Sequence, residues 1–298
     1  MFNYKYIITY VSLLFTFFVH GGEVSITIDD FNFNDQLLSG EERNNEILKT
    51  LTKHKIIAAG FVTTKYLSLP NAQNGVEAWS KAGHLIGNHT ENHFSYAKTN
   101  FNDFSNDVLL ADGKLKVFKT FQKFFRFPYL KEGETEEKRD QLRKFLISQG
   151  YKNGAVTIDA SDWYVNKRML DKLKVYPDFD KTKFRDFYLK HLWDRTQYYS
   201  SLSQKTLGRD VKHTLLLHHN LTTALFLDDL IEMFKSKGWK VIDATEAFND
   251  PIYKLQPKNI PAGESLIWAL AKDKGDKTLR YPAEDGEYEK AEMDKLGL

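Results

Sequence analysis

Short apolar runs alternate along this chain with longer stretches whose apolar positions recur every three to four residues. The first rhythm predicts strands and the second predicts amphipathic helices. Residues 24–28 read as a strand that ends at Asp29-Asp30. Residues 41–54 have helical spacing, with Ile47, Leu48 and Leu51 on one face and Ser39 as an N-cap. Residues 56–62 are almost continuously apolar, the pattern of a strand buried on both faces. A helix over 76–82 stops at Gly83, and 84–87 leads into His89 and His93. Helical pattern over 103–121 is broken at Gly113, and 123–127 is a strand closed by Pro128. A helix over 135–148 ends before Gly150. The pattern continues with a strand over 155–158 ending at Asp159 and a long amphipathic helix over 178–199. A strand over 214–217 then ends at His218-His219, and a helix over 223–237 precedes a last strand at 240–242.

Strand-helix units at this rhythm imply an α/β fold with a parallel sheet, and about 250 residues is the usual size of a closed (β/α) barrel. Three segments are expected. Residues 1–21 have a short positive start and an apolar run over 7–19, which predicts a signal peptide, or an uncleaved anchor. Residues 22–250 form the barrel-like domain. Residues 251–298, rich in Lys, Asp, Glu and Gly, read as a surface extension with a short helix near 266–270. The pattern shows no internal repeat and no second catalytic domain.

The chain has 298 residues, a net charge of +2 and no cysteine. The balanced charge and the lack of a basic run argue against a nucleic-acid partner. Without cysteine there are no disulfides, thiolate metal sites or thiol nucleophiles. The leader predicts export, to a bacterial periplasm or beyond, with no stable membrane insertion after its cleavage. Two glycosylation sequons, at Asn88 and Asn220, fall among the candidate site residues and argue against a eukaryotic secretory route.

Polar residues of chemical interest follow the C-terminal ends of the expected strands, the face that carries the site in α/β barrels. They are Asp29, Asp30, His89, His93, Arg126, Asp159, Asp162 and His218. His89 and His93, four residues apart, would project from the same side of a helical turn and could reach one ion. The arrangement is not the zincin motif, because the acid Glu91 follows the first histidine by two residues. Each piece also has a plain structural reading. Asp29-Asp30 could be a strand-ending turn, Arg126 a surface ion pair and Trp163 a core residue. His54, His84, His191 and His213 read as structural, and His219 stays open between packing and support of the site.

Taken in order, these pieces resemble a known family. Thr27-Ile28-Asp29-Asp30 resembles the T-F-D-D opening of the polysaccharide deacetylases of the NodB-homology type, carbohydrate esterase family four. Gly87 to His93 resembles their G-N-H-T-x-x-H motif, Arg126-Phe127-Pro128-Tyr129 their R-x-P-Y turn, Asp159 to Trp163 their D-x-x-D-W element, and Leu216-Leu217-His218 their L-x-H element. Ile28, Phe31 and His219 depart from the usual pattern. The resemblance implies a distorted or incomplete (β/α) barrel. It implies Asp30, His89 and His93 as ligands of a divalent metal, Zn2+ before other first-row ions. Asp29 would be the general base, His218 the general acid, and Arg126 the residue holding Asp29. One or both of Asp159 and Asp162 would orient Arg126 or His218. The backbone N–H of Tyr129, freed by the turn at Pro128, would stabilise the oxyanion, with Trp163 a wall of the sugar groove.

The expected function is metal-dependent removal of acetyl groups from N-acetylated sugars of a glycan or oligosaccharide, whether peptidoglycan, a chitin-type oligomer or an exopolysaccharide. The alternatives are an O-acetyl (xylan-type) esterase, a small-amide hydrolase, and an inactive barrel kept for glycan binding.

Overall fold

The computed structural model describes residues 21–298. In chain order the elements are β1 (Glu23–Asp30), α1 (Gly40–His54), β2 (Ala59–Val62), α2 (Ala72–Lys81), β3 (Leu85–Asn88), α3 (Phe101–Leu115) and β4 (Phe121–Phe125). Next come β5 (Lys131–Gly133), α4 (Glu136–Ser148), β6 (Lys152–Asn153), α5 (Asp162–Val175), α6 (Thr182–Leu207), β7 (Lys212–His218) and α7 (Leu221–Ser236). The chain finishes with β8 (Lys240–Val241), α8 (Ala244–Ala247), β9 (Ala262–Gly263), α9 (Leu266–Asp273) and α10 (Gly286–Leu296). The leader expected over 1–21 lies almost wholly outside the described residues. Gly22 belongs to the fold, since its carbonyl accepts a 3.0 Å bond from Lys240 N. Among the described residues no helix is long and apolar enough to cross a membrane.

The main sheet runs β6-β4-β3-β2-β1-β7 with every pair parallel. β7 pairs along nearly the whole of one edge of β1, so β2 and β8 share the other edge. Val24, Ile26 and Ile28 of β1 are fully buried, and so are Ser25 and Thr27 between them. A central parallel strand is covered on both faces, so the hydroxyl side chains between the aliphatic ones are buried as well, and Thr27 Oγ1 donates to Leu215 O at 2.8 Å.

The sheet curls into an incomplete barrel, and its seam explains why the expected strand over 155–158 does not form. β6 pairs with β4, and Gly154 N still donates to Phe125 O at 2.7 Å. Beyond it the chain crosses to β7, where Ile158 N donates to Thr214 O and Leu216 N to Ile158 O. Residues 152–158 thus divide their hydrogen bonds between the two edges, and one bridge, Ile158 with Leu215, stands where a full strand would close the barrel.

The reading of 251–298 as a surface extension is corrected. β9 pairs antiparallel with β5. Leu266 N donates to Val156 O at 2.7 Å and Ser265 Oγ to Thr157 O at 2.9 Å. These bonds satisfy carbonyls that an open seam would leave buried and unpaired. Behind them Leu266, Ile267, Trp268, Ala271, Met293 and Leu298 join the main hydrophobic core.

Other boundaries moved for local reasons. Gly113 lies inside α3 and does not break it. The expected 123–127 strand is β4, two residues earlier, because Arg126 and Phe127 already turn toward Pro128. The long helix starts at Thr182 and runs on to Leu207, where Gly208 at φ +72° ends it. α5 was not expected at all.

Candidate active site and metal centre

Three loops at the C-terminal ends of the strands carry the site. The first follows β1. Asp29 is buried at its end, while Asp30 and Phe31 take φ values of +76° and +53° that turn the chain away from the sheet. The second follows β3 and holds both histidines. Gly87 leads into it because a Cβ at that position would meet the Phe61 ring at 2.7 Å. The segment from His89 to His93 is a loop and not the expected helical turn, since Thr90 and His93 adopt φ of +67° and +60°. Asn88 Oδ1 accepts from Thr90 N, Asp107 Oδ2 accepts from Asn92 N, and Glu91 binds Thr64 Oγ1 and Lys114 Nζ. The third loop, after β4, brings Arg126, Pro128 and Tyr129. Tyr129 and Leu130 again have positive φ, +56° and +54°.

The histidines and Asp30 converge. One ligand atom each from Asp30, His89 and His93 lies within 4.8 Å of the others, the one such group among the described residues. His89 Nδ1 sits 2.8 Å from the Arg126 carbonyl, which can only accept, so the proton is on Nδ1 and the Nε2 lone pair faces the site. Asp30 Oδ1 is 3.5 Å from His89 Nε2 and 3.1 Å from His93 Nε2, yet it makes no hydrogen bond and is buried. Three Lewis bases around one point, one of them a buried oxygen without a partner, fit a divalent cation held by one carboxylate and two imidazoles. Burial holds His93 below the ordinary imidazole value, helped by His89 and opposed by Asp30, which favours its neutral, ligating form. Burial would raise the Asp30 carboxyl, but the close approach of the His89 and His93 rings outweighs that and holds it well below the carboxylate range.

Two polar pairs flank this triad. Arg126 Nη1 lies 3.1 Å from both oxygens of Asp29. Arg126 is itself fixed by Nη2 to Thr27 Oγ1 at 3.2 Å, by Nε to Gly154 O, and by stacking over the Phe61 ring at 4.2 Å. On the other side His218 Nδ1 is 2.7 Å from Asp162 Oδ1, and its backbone N donates to Asp162 Oδ2 at 2.9 Å. Burial alone would lower the His218 value; the charge and hydrogen bond of Asp162, with Asp30 and Asp29 beyond, push it up to about 10. Asp162 thus orients His218. Asp159 orients neither His218 nor Arg126 by hydrogen bond; its Oδ1 accepts from Ala160 N at 2.8 Å. Burial and the carboxyls of Glu284 and Glu264 hold Asp159 well above the usual range.

His219 points away from the site. Its ring is stacked between Phe31 and Phe33, with centroids 5.3 and 4.9 Å away, and burial pushes it down to about 3. It packs the β1 loop as a neutral ring, and the open reading closes in favour of packing. His84 is buried against Trp79, with Nδ1 accepting from Ala58 N at 3.2 Å.

Asp29, Asp30, His89, His93, Tyr129, Asp159, Trp163 and His218 share one cavity of about 680 Å3. Pro128 and Arg126 sit beneath it, both buried. Trp163 is 45% exposed and lines the cavity, so it is not a core residue. Sequence reasoning missed the cavity's far side, where Lys65, Tyr66, Lys131, Glu264, Tyr281 and Glu284 complete it. The supports Thr27 and Asn220 were missed as well; Asn220 Nδ2 donates to Asp162 Oδ2 at 3.1 Å.

The polysaccharide deacetylase family model matches residues 19–152, so that stretch is similar to the polysaccharide deacetylases that the motifs resemble. A curated peptidoglycan-N-acetylglucosamine deacetylase from Bacillus cereus is 29% identical over 142 residues. That match covers 47% of this chain and 46% of the relative, so it spans less than half of that protein's length. Among solved structures, a mutant of a family 4 carbohydrate esterase pseudoenzyme with restored enzymatic activity aligns with a TM-score of 0.54 at 20% identity, over 77% of this chain and 68% of that one. A peptidoglycan N-acetylglucosamine deacetylase, bound to a hydroxamate-type benzamide, aligns with a TM-score of 0.51 at 21% identity, over 76% and 87%. At these identities the likeness shows the fold: the incomplete parallel barrel is the one these proteins share.

Proposed function

We propose that the chain is a metal-dependent hydrolase that removes the acetyl group from an N-acetylated sugar of a glycan, peptidoglycan or a chitin-type oligomer before an exopolysaccharide. The observation that carries the reading is the Asp30-His89-His93 triad set between two separate polar pairs, Asp29 with Arg126 and Asp162 with His218. A merely structural metal centre has no need of two proton-handling groups beside it. The B. cereus relative, a peptidoglycan-N-acetylglucosamine deacetylase, supports the choice of sugar.

Asp30, His89 and His93 would hold the divalent cation, zinc being the ion that suits one carboxylate and two imidazoles, and when bound it supplies a Lewis acid that acidifies water and polarises the amide carbonyl. Asp29 takes the proton from the attacking water, and Arg126 keeps its two oxygens aimed at the cavity. The N–H of Tyr129 faces the developing oxyanion from a turn shaped by two positive-φ residues. His218 delivers its proton to the nitrogen as the C–N bond breaks. Acetate and a free amine leave, and Asp29 and His218 have each changed by one proton. Asp162 holds the His218 tautomer that presents Nε2 to the leaving group. Trp163 offers an exposed ring to the sugar.

Export by the 1–21 leader is part of this reading, because the polymers concerned lie outside the cytoplasm. The test is acetate release by purified zinc-loaded protein on peptidoglycan, N-acetylglucosamine oligomers and acetylated xylan. Release from the first two supports the proposal. Release from xylan alone would replace it with the O-acetyl esterase reading, and silence on all three with metal bound would overturn it.

A further inference from the structure

The motifs end at His218, yet the cavity over the site is completed by residues 262–285. We propose that this C-terminal segment is a sugar-recognition wall in which Tyr281 is the stacking platform for an uncharged pyranose ring adjoining the one that reacts. The inference rests on the deacetylase reading for the identity of that ring.

The size of the cavity sets the problem. At about 680 Å3 it falls inside the range of about 300–1,000 Å3 that encloses a drug-sized ligand, which is more than one acetylated ring requires. Tyr129 and Trp163 present exposed rings on the side of the motifs, and Tyr281 presents one from the C-terminal segment, 46% exposed. A pyranose carries an apolar C–H face that an aromatic ring can cover while hydroxyls at its rim stay wet.

The wall is built, not draped. Glu264 takes φ +68° and Gly263 φ +124°, where a Cβ on Gly263 would collide with the Leu130 carbonyl. Of the nine non-glycine residues with positive φ among those described, Glu264 joins six on the catalytic loops: Asp30, Phe31, Thr90, His93, Tyr129 and Leu130. Backbone strain of this kind collects at functional sites, where the surroundings hold it in place. Glu264 N donates to Leu130 O at 3.0 Å, tying the wall to the turn that carries Tyr129. Ala283 N donates to Glu264 Oε2 at 2.9 Å and Trp268 Nε1 to Arg280 O at 3.0 Å, which fixes the backbone on both sides of Tyr281. Lys131 Nζ sits 4.7 Å over the Tyr281 ring and 3.3 Å from its hydroxyl.

Charge decides what the wall takes. Lys131 pairs with Glu264, and Glu284 pairs with Arg195 and Arg280. The remaining lining carboxylate, Asp285, is engaged as the N-cap of α10 by Glu287 N, so the wall offers aromatic surface and hydrogen bonds, no free cation for an acidic substituent, and only that capped carboxylate toward a basic one. An uncharged N-acetylhexosamine is the ring that suits it.

The test uses the zinc-loaded full chain with N-acetylglucosamine oligomers of one to three units, and 4-nitrophenyl acetate as a substrate with no adjoining sugar ring for Tyr281 to cover. Wild type is expected to gain in kcat/KM from monomer to trimer. Tyr281→Ala is expected to raise KM for the trimer about tenfold with kcat nearly kept, the loss of one stacked ring. Tyr281→Phe should keep the wild-type KM, and the aryl acetate should be cleaved equally by all three. An unchanged trimer KM in Tyr281→Ala, or an equal loss on trimer and aryl acetate, overturns the wall. Calorimetric titration with the trimer separates this inference from the reading beneath it. If wild type releases no acetate yet binds the trimer, and Tyr281→Ala weakens that binding, the wall stands while the deacetylase reading falls. If wild type does not bind the trimer, the wall falls.

Discussion

Asp29 and Asp30 are adjacent in sequence and opposite in circumstance. Asp29 is the penultimate residue of β1, inside the barrel, where Arg126 and Thr27 form its floor. Asp30, one residue later and at φ +76°, is turned outward to meet two imidazoles. Their isosteric replacements are therefore expected to fail differently. Asp30→Asn exchanges an anionic ligand for a weak neutral one, so metal content and acetate release fall together. Asp29→Asn keeps the metal and loses about 10²–10⁴-fold in kcat, the usual worth of a positioned proton acceptor. Elemental analysis of both variants decides the assignment: equal loss of metal would make Asp29 a ligand too. His218 invites a second prediction, from its partner. Its value, pushed up to about 10, lies above the ordinary imidazole value of about 6.5. The stability it contributes is fully present below pH 6.5 and is lost as pH rises through about 10. In metal-free protein the Tm advantage of wild type over Asp162→Asn should narrow across that window. A gap that stays constant from pH 6.5 to 10 would mean the ion pair does not form. In turnover, Asp162→Asn should move the alkaline limb of the pH profile to lower pH.

The loops and strands show which of these placements could be read in advance. Polar residues at the ends of runs rich in aliphatic side chains marked β1 and β7, because a parallel strand buried on both faces is mostly apolar until it reaches the open end of the barrel. The histidine pair was legible as a pair, yet its backbone was not. A spacing of four suits a helix, and nothing in the residues themselves announces positive φ at Thr90 and His93. α5 was not read although Val165, Met169, Leu170 and Leu173 keep helical spacing, because its first residues, Asp162 and Trp163, were taken only as a motif of the site. The C-terminal segment was misread for a different reason. Its partners are Lys131, Val156 and Thr157, more than a hundred residues away, and a local pattern carries no trace of a seam left open elsewhere. That seam supports a prediction on α9. Trp268→Ala should cost about 3–5 kcal/mol in urea unfolding of the full chain, the usual range for a buried aromatic truncated to alanine. A change within about 0.5 kcal/mol, the range of surface substitutions, would return 251–298 to the status of an appendage.

Architecture and chemistry are separable in this chain. The core runs through β1, β2, β7, the helices that cover them and α9, and it includes none of the three proposed ligands. Those ligands sit at the last residue of β1 and in the loop after β3, fixed by polar bonds such as His89 Nδ1 to Arg126 O and His93 N to Thr90 Oγ1. Removing the metal should therefore abolish acetate release and leave the fold standing. After treatment with a strong chelator the far-UV circular dichroism is expected to match that of the loaded protein, and unfolding should remain cooperative. Re-addition of zinc at a hundredfold excess over its Kd adds about 2.7 kcal/mol to stability by mass action. For a domain of this size that raises Tm by on the order of 5 °C. The same titration on Asp30→Asn should show little rise, while Asp29→Asn should follow wild type. Loss of the far-UV signal on chelation would mean that the ion organises the three loops and the ends of the strands beneath them. The bonds that tie those loops to Asn88, Asp107 and Thr64 would then be too weak to hold the ligands in place without it.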